Sequence, residues 1–139
     1  MNKTAKHQKV AAIIWTIDTE RGKRFLLRHN KPFDRYEDEW TIAFGDIENG
    51  ENLEETAKRE VSEEFGIHSF GEVTNLNYKI EFKGRNGSTE AHFVALKAKD
   101  INIPIVLNEE SIGFDWMLIK KVKEVMKHED EKKAFDLII

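Results

Sequence analysis

The most informative stretch of this chain reads Gly45-Asp-Ile-Glu-Asn-Gly-Glu51-Asn-Leu-Glu-Glu-Thr-Ala-Lys-Arg59-Glu60-Val-Ser-Glu63-Glu64-Phe-Gly66-Ile67. Its second part carries start and stop signals for a helix. Asn52 can cap the N-terminus, and Glu55, three residues later, completes a capping-box pattern. Gly66 stands where a C-terminal cap is expected. The pattern therefore predicts a helix from Asn52 to Phe65.

Three glutamates of this helix stand at spacings i, i+3 and i+4, so Glu60, Glu63 and Glu64 project from one side. At about 100° per residue, Glu60 and Glu64 fall within about 20° of Leu53. That direction is the edge of an apolar face, which consists of Leu53, Ala57, Val61 and Phe65. Carboxylates placed there should be partly buried and should raise each other's pKa, and a divalent cation would relieve the repulsion. A Glu-rich helix is more often a solvated face, so the glutamates alone leave both interpretations open.

The whole stretch resembles the Nudix box, a pattern of nine specified positions. The pattern is Gly, five residues, Glu, seven residues, Arg-Glu, an aliphatic residue, one residue, Glu-Glu, one residue, Gly and an aliphatic residue. This chain meets every position with Gly45, Glu51, Arg59, Glu60, Val61, Glu63, Glu64, Gly66 and Ile67. The resemblance implies an α+β fold of the Nudix type, a mixed β-sheet sandwiched between α-helices. It also implies a hydrolase that cleaves a nucleoside diphosphate linked to another group.

The resemblance assigns roles to the residues of the box. Glu60 and Glu64 would be the principal ligands of Mg²⁺ or Mn²⁺, and Glu63 would contribute directly or through water. The carbonyl of Gly45 would also face the metal. Arg59 would hold the glutamates by charge-assisted hydrogen bonds and would engage Glu51.

The general base is left open between Glu60 and Glu110. Glu110 lies six residues before Trp116, in a region where several relatives place a metal-binding or basic glutamate. An exposed loop carboxylate is the alternative interpretation of Glu110.

The chain also departs from the family ahead of the box, because Ile42-Ala43-Phe44-Gly45 replaces the common Leu-Pro-Gly-Gly. This departure leaves the helix intact but affects the loop near the substrate.

The segments outside the box read as short strands followed by helical material. An apolar run, a hairpin return and alternating patterns predict these strands. They are Val10–Ile17, Phe25–Leu27, Trp40–Phe44, Tyr78–Phe82, Ala91–Leu96 and Trp116–Ile119, with the last residues helical from about Lys120 to Ile139. Asn30 to Glu39, which contains Pro32, is predicted as a loop, and Asn86-Gly87 as a turn. Ala91–Leu96 is apolar on both faces, which predicts a central strand.

Several residues outside the box are weaker candidates for ligand contacts. Arg28 and Lys31 could meet phosphate, although exposed surface charge is the favoured interpretation. Trp15, Phe44 and Tyr78 could stack on a base, with core packing favoured for Trp15 and both roles open for Phe44. His92 is expected to be a hydrogen-bonded core histidine. These six positions are inferred from residue type and from their place along the predicted strands.

Composition limits the class of protein. The 139 residues are expected to form one domain, residues 1–139. The net charge of −4, from 26 acidic and 22 basic residues, argues against binding a nucleic-acid polymer. Small phosphorylated ligands still fit, because a bound cation can neutralise carboxylates. The absence of cysteine excludes thiol chemistry.

No apolar run approaches the ~20 residues of a membrane span, and Val10–Ile17 is too short and strand-like for a signal peptide. A cytoplasmic protein without a membrane partner is therefore expected, and a homodimer is compatible with the sequence. The favoured substrate is a nucleoside triphosphate or a nucleotide sugar. A dinucleoside polyphosphate (Ap4A-type) hydrolase is the alternative within the enzyme class, and a non-catalytic nucleotide-binding Nudix sensor is the alternative outside it.

Overall fold

One mixed sheet organises the chain in the computed structural model, which describes residues 6–30, 39–84 and 87–138. Over these residues there are seven strands and three helices, and most strands follow one another without a helix between them. They are β1 (His7–Asp18), β2 (Gly22–Asn30), β3 (Trp40–Thr41), β4 (Ala43–Asp46), α1 (Leu53–Phe65), β5 (Val73–Gly84), β6 (Gly87–Lys97), β7 (Ser111–Met117), α2 (Ile119–Val125) and α3 (Glu129–Phe135). Residues 31–38 of the predicted loop, including Lys31, and Asn86 of the predicted turn lie outside the described residues.

The sheet is built around a parallel pair, β1 and β6, and its main path runs β3-β2-β1-β6-β5. The other pairings are antiparallel: β4 adds to β1, and β7 adds to the outer side of β2. β6 therefore lies inside the sheet, which confirms the central strand predicted for Ala91–Leu96. A strand buried on both faces reads as a continuous apolar run, and this explains the patterns of β1 and β6.

Alternate residues of β1 point into two separate cores. Ala11, Ile13 and Trp15 belong to the core under the C-terminal helices, which contribute Val122, Met126, Ala134 and Phe135. Val10, Ala12 and Ile14 belong to the core under α1, which contributes Ala57, Val61 and Phe65. The predicted α+β sandwich, with the sheet between helices, is confirmed. No helix among the described residues is long and apolar enough to cross a membrane.

Most strands are longer than predicted, and the sequence-based expectation also differs from the structure at three other places. The predicted strand Trp40–Phe44 is split at Ile42, which is buried between β3 and β4. The last strand ends at Met117 rather than Ile119, because Leu118 is the N-cap of α2 and Ile119 is its first residue. The C-terminal helical segment is broken after Val125, where Met126 adopts an extended conformation. This break lets Met126 and Phe135 enter the same core.

Candidate active site

Helix α1 carries the candidate site, and its ends are defined by the predicted caps. The Asn52 side chain accepts a hydrogen bond from the Glu55 amide at 2.8 Å, and Glu55 accepts one from the Asn52 amide at 3.0 Å. Gly66 closes the helix with φ of 69°, a left-handed conformation that a residue with a Cβ adopts only at a cost. The predicted helix and both caps are confirmed.

Arg59 links the helix to the loop that precedes it. Its Nε and Nη2 atoms donate to the two carboxylate oxygens of Glu51 at 2.8 and 3.0 Å. Nη1 donates to Glu60 at 2.7 Å, and Nη2 also donates to the Asp46 carbonyl at 2.8 Å. Hydrogen bonding from Arg59 is the main cause that lowers the pKa of Glu51 to about 2. The predicted contact between Arg59 and Glu51 is confirmed, and it fixes the loop against α1.

Glu60 packs directly against Gly45. A methyl group at the Gly45 Cα would overlap the Glu60 carboxyl group, so only glycine leaves room for this side chain. The Glu60 side chain is 12% exposed, and burial raises its pKa against the opposing effect of Arg59. Strand β4 therefore forms one wall of the site, although the predicted metal-binding role of the Gly45 carbonyl stays a prediction.

Glu64 is the most deeply buried acidic group of the box, at 4% exposure. Burial raises its pKa to about 8, and the charges of Glu60 and Glu110 act in the same direction. Glu110 itself is exposed in the turn before β7, next to Ser111, and Ser111 is joined to Glu64 through Arg28. The partial burial expected for Glu60 and Glu64 is confirmed, and Glu110 lies on the same side of the molecule.

Glu63 lies at the rim of the site. Its side chain is 57% exposed and approaches Arg59 Nη1 at 3.6 Å. Within the described parts of the chain, no three acidic or histidine side chains already converge as a metal cage. The site as it stands is thus a pair of buried carboxylates, Glu60 and Glu64, with Glu63 and Glu110 at its edge.

Comparison with known proteins assigns this arrangement to a family. A family model described as NUDIX domain matches residues 7–138, which is nearly the whole chain. The chain belongs to the Nudix family. It is also similar to the asymmetrical bis(5'-nucleosyl)-tetraphosphatase of Mus musculus, with 25% identity over 95 residues, which are 67% of this chain and 65% of the mouse enzyme. The match therefore spans slightly less than two thirds of that relative.

Solved structures of other Nudix proteins share the fold. The E. coli dihydroneopterin triphosphate pyrophosphohydrolase superposes with a TM-score of 0.77 at 18% identity, covering 98% of both chains. The NUDIX domain of Shewanella oneidensis NrtR, complexed with ADP ribose, gives a TM-score of 0.76 at 14% identity and covers 97% of this chain and 87% of its own. At these identities the likeness establishes the fold of the Nudix domain.

One candidate outside the Nudix box is placed differently from the prediction. Arg28 was expected to be exposed surface charge, but it is only 8% exposed. Its Nε lies 3.1 Å from Glu64 Oε1, and its Nη1 donates to the Ser111 hydroxyl at 3.1 Å. The surface interpretation is wrong because Arg28, two residues after Leu26, lies on the same side of β2, and this side faces α1. A buried arginine on this side meets the buried carboxylate of the box.

The remaining candidates have structural roles in the Nudix domain. Trp15 is 7% exposed and packs in the core, as expected. His92 shares the expected hydrogen bond, 2.6 Å to the Gln8 side chain, but it is half-buried rather than part of the core. The Tyr78 hydroxyl donates to the Asp130 carbonyl at 2.7 Å, which ties β5 to α3. Phe44 is half-buried against the core under the C-terminal helices.

Proposed function

We propose that this protein is a metal-dependent pyrophosphohydrolase that cleaves the diphosphate linkage of a nucleoside diphosphate derivative. The observation that carries the proposal is the environment of Glu64. Both of its carboxylate oxygens are buried without a hydrogen-bond donor, and the contact with Arg28 is an ion pair that lacks hydrogen-bond angles. A buried carboxylate left in this state favours a further positive charge. A divalent cation held jointly with Glu60 would supply it.

The available ligand atoms suit a hard cation. Glu60 and Glu64 would hold Mg²⁺ or Mn²⁺, with Glu63 contributing directly or through water and the Gly45 carbonyl completing the set. All of these donors are oxygen atoms, which hard divalent ions prefer. When bound, the cation would polarise the diphosphate and lower the pKa of the attacking water.

The residues of the chain would orient this chemistry and remove a proton. Arg59 holds Glu60 at 2.7 Å while it is itself held by Glu51. We assign the role of general base to Glu110, with Glu60 as the alternative. Glu110 supports this assignment because its carboxylate is solvated yet acts electrostatically on Glu64. A base needs to be accessible to water, and a buried ligand is less suited to this role.

The substitution Glu110→Gln separates the two candidates for the base. If Glu110 accepts the proton, kcat should fall by about 10²–10⁴-fold, the usual contribution of general-base catalysis, while the metal concentration for half-maximal activity stays within a few-fold. Glu109→Gln is the matched control, since Glu109 is an adjacent exposed glutamate. A loss of only a few-fold would transfer the role to Glu60. A large rise in the required metal concentration would make Glu110 a ligand.

Two similar proteins support two candidate substrate classes. We favour a nucleoside triphosphate or a nucleotide sugar, and the E. coli relative of nearly equal length is named for the hydrolysis of a triphosphate. A dinucleoside polyphosphate is the second candidate, because the mouse relative is a bis(5'-nucleosyl)-tetraphosphatase. A non-catalytic sensor is disfavoured by the complete set of box glutamates.

Purified protein should be assayed against nucleoside triphosphates, nucleotide sugars and dinucleoside polyphosphates with Mg²⁺ or Mn²⁺. Activity should disappear in EDTA and return with excess cation. The products should be two phosphorylated fragments, for example a nucleoside monophosphate and pyrophosphate, and reaction in ¹⁸O-water should label one of them. Turnover that ignores chelators, or orthophosphate released from a simple monoester, would refute the proposal. Tight nucleotide binding without turnover would favour the sensor.

A further inference from the structure

The buried side chain of Arg28 contacts two parts of the site that are far apart in sequence. Through Nε it lies 3.1 Å from Glu64 on α1, and through Nη1 it donates to the Ser111 hydroxyl at 3.1 Å. Arg28 and Glu64 are 8% and 4% exposed, so both side chains have been removed from water. The contact with Glu64 is an ion pair that lacks hydrogen-bond angles, whereas the contact with Ser111 is a hydrogen bond. One guanidinium group therefore joins the box helix to the start of β7.

Ser111 follows Glu110 directly and belongs to the same turn. The Glu110 amide donates to the Asn108 side-chain oxygen at 3.1 Å, and the Ser111 amide donates to the Asn108 carbonyl at 3.3 Å. These two bonds are local to the turn and do not connect it to α1. The bond from Arg28 to Ser111 does make this connection, because Arg28 also contacts Glu64.

We propose that Arg28 is a positioning residue that sets the distance between Glu64 and the Asn108–Ser111 turn, and thereby aims the Glu110 carboxylate at the site. The catalytic part of this inference rests on the proposed function, whereas the mechanical part does not. A planar guanidinium holds its donors at fixed separations, which an ammonium group cannot reproduce. Since a misplacement of about 1 Å can cost about 10²-fold in rate, a rigid spacer here affects turnover directly.

Simple neutralisation of the Glu64 charge is the competing explanation for a buried Arg28. A lysine would satisfy that requirement, so Arg28→Lys distinguishes the two roles. Ser111→Ala removes the contact with the turn and leaves the ion pair with Glu64 in place. Arg24→Lys is a matched control. Arg24 lies on the same face of β2 and also bridges to β7, with Nη1 donating to the Trp116 carbonyl at 3.1 Å, but its ion pair is with Asp18.

The mechanical test is amide hydrogen exchange by NMR on the metal-free protein. Arg28→Lys and Ser111→Ala should each accelerate exchange at the Glu110 and Ser111 amides by about 3-fold or more, because the turn loses its side-chain contact with the buried Arg28. Exchange in the core of β1 and β6 should not change, and Arg24→Lys should leave the turn unaffected. Unchanged turn amides in both Arg28→Lys and Ser111→Ala would overturn the proposal.

The catalytic test is a double-mutant cycle with Glu110→Gln. Arg28→Lys and Ser111→Ala should lower kcat by about 10–100-fold in the otherwise unchanged enzyme, the range seen for residues that orient site groups, with KM nearly constant. In the Glu110→Gln background each should cost less than about 3-fold, because the group they aim is already absent. Full additivity would overturn the link to Glu110. If the turn loosens as expected but the parent enzyme cleaves no diphosphate, the proposed function fails and the mechanical role stands.

Discussion

Glu60→Gln is expected to lower kcat by about 10³-fold or more in saturating Mg²⁺ or Mn²⁺, since a bound cation contributes several kcal/mol to stabilising the transition state. The substitution keeps the shape of the side chain and removes the charge of one proposed ligand. Arg59 retains its bonds to Glu51 and to the Asp46 carbonyl, so the loop ahead of α1 stays attached. The unfolding midpoint of the metal-free variant should therefore remain within a few degrees of the parent.

Glu64→Gln should give a loss of the same order, and Glu54→Gln serves as the control for both. Glu54 is an exposed glutamate in the first turn of the same helix and makes no contact with the site. Steady-state kinetics over a range of cation concentrations, together with thermal unfolding, would measure the effects. Near-parental activity in either Glu60→Gln or Glu64→Gln would contradict the metal assignment and would instead fit a solvated acidic face.

The helix of the Nudix box was predictable from sequence because its determinants are local. The capping box, the glycine cap and the apolar spacing all lie within Asn52–Gly66, and each acts over three or four residues. The two-sided burial of β1 and β6 was also predictable, since a continuous apolar run allows few other placements. These features made the fold and the partial burial of Glu60 and Glu64 predictable.

The role of Arg28 could not be read from local pattern in the same way. It stands near the end of a strand and before a polar loop, where an arginine is usually exposed. Its burial depends on Glu64 and Ser111, which are distant in sequence. One weak signal existed, because Arg28 has the same parity along β2 as the buried Leu26. The break after Val125 could not be predicted either, because it depends on tertiary packing. The packing of Met126 in the core overrides the local helical preference.

The replacement of Leu-Pro-Gly-Gly by Ile42-Ala43-Phe44-Gly45 keeps only the glycine that the structure requires. Ile42 and Ala43 are buried in opposite cores, and Phe44 is half-buried, so the first three positions pack the sheet. Gly45 pairs with Val10 in the sheet and contacts Glu60 through its bare Cα. The departure from the family pattern thus keeps the glycine that leaves room for Glu60.

Gly45→Ala should therefore disable the site while the rest of the fold forms. The added methyl group would overlap the Glu60 carboxyl group, which is confined by Arg59 and cannot turn away without breaking a 2.7 Å hydrogen bond. We expect kcat to fall by about 10²-fold or more from the displaced ligand, and the cation concentration for half-maximal activity to rise by at least about 10-fold.

Calorimetric titration of Mn²⁺ into the substrate-free protein would measure the second effect separately from turnover. Gly71→Ala is the matched control, because a methyl group there would meet only the Lys97 carbonyl at an ordinary 3.6 Å. Unchanged Mn²⁺ affinity and turnover in Gly45→Ala would show that Glu60 does not act from its position against Gly45.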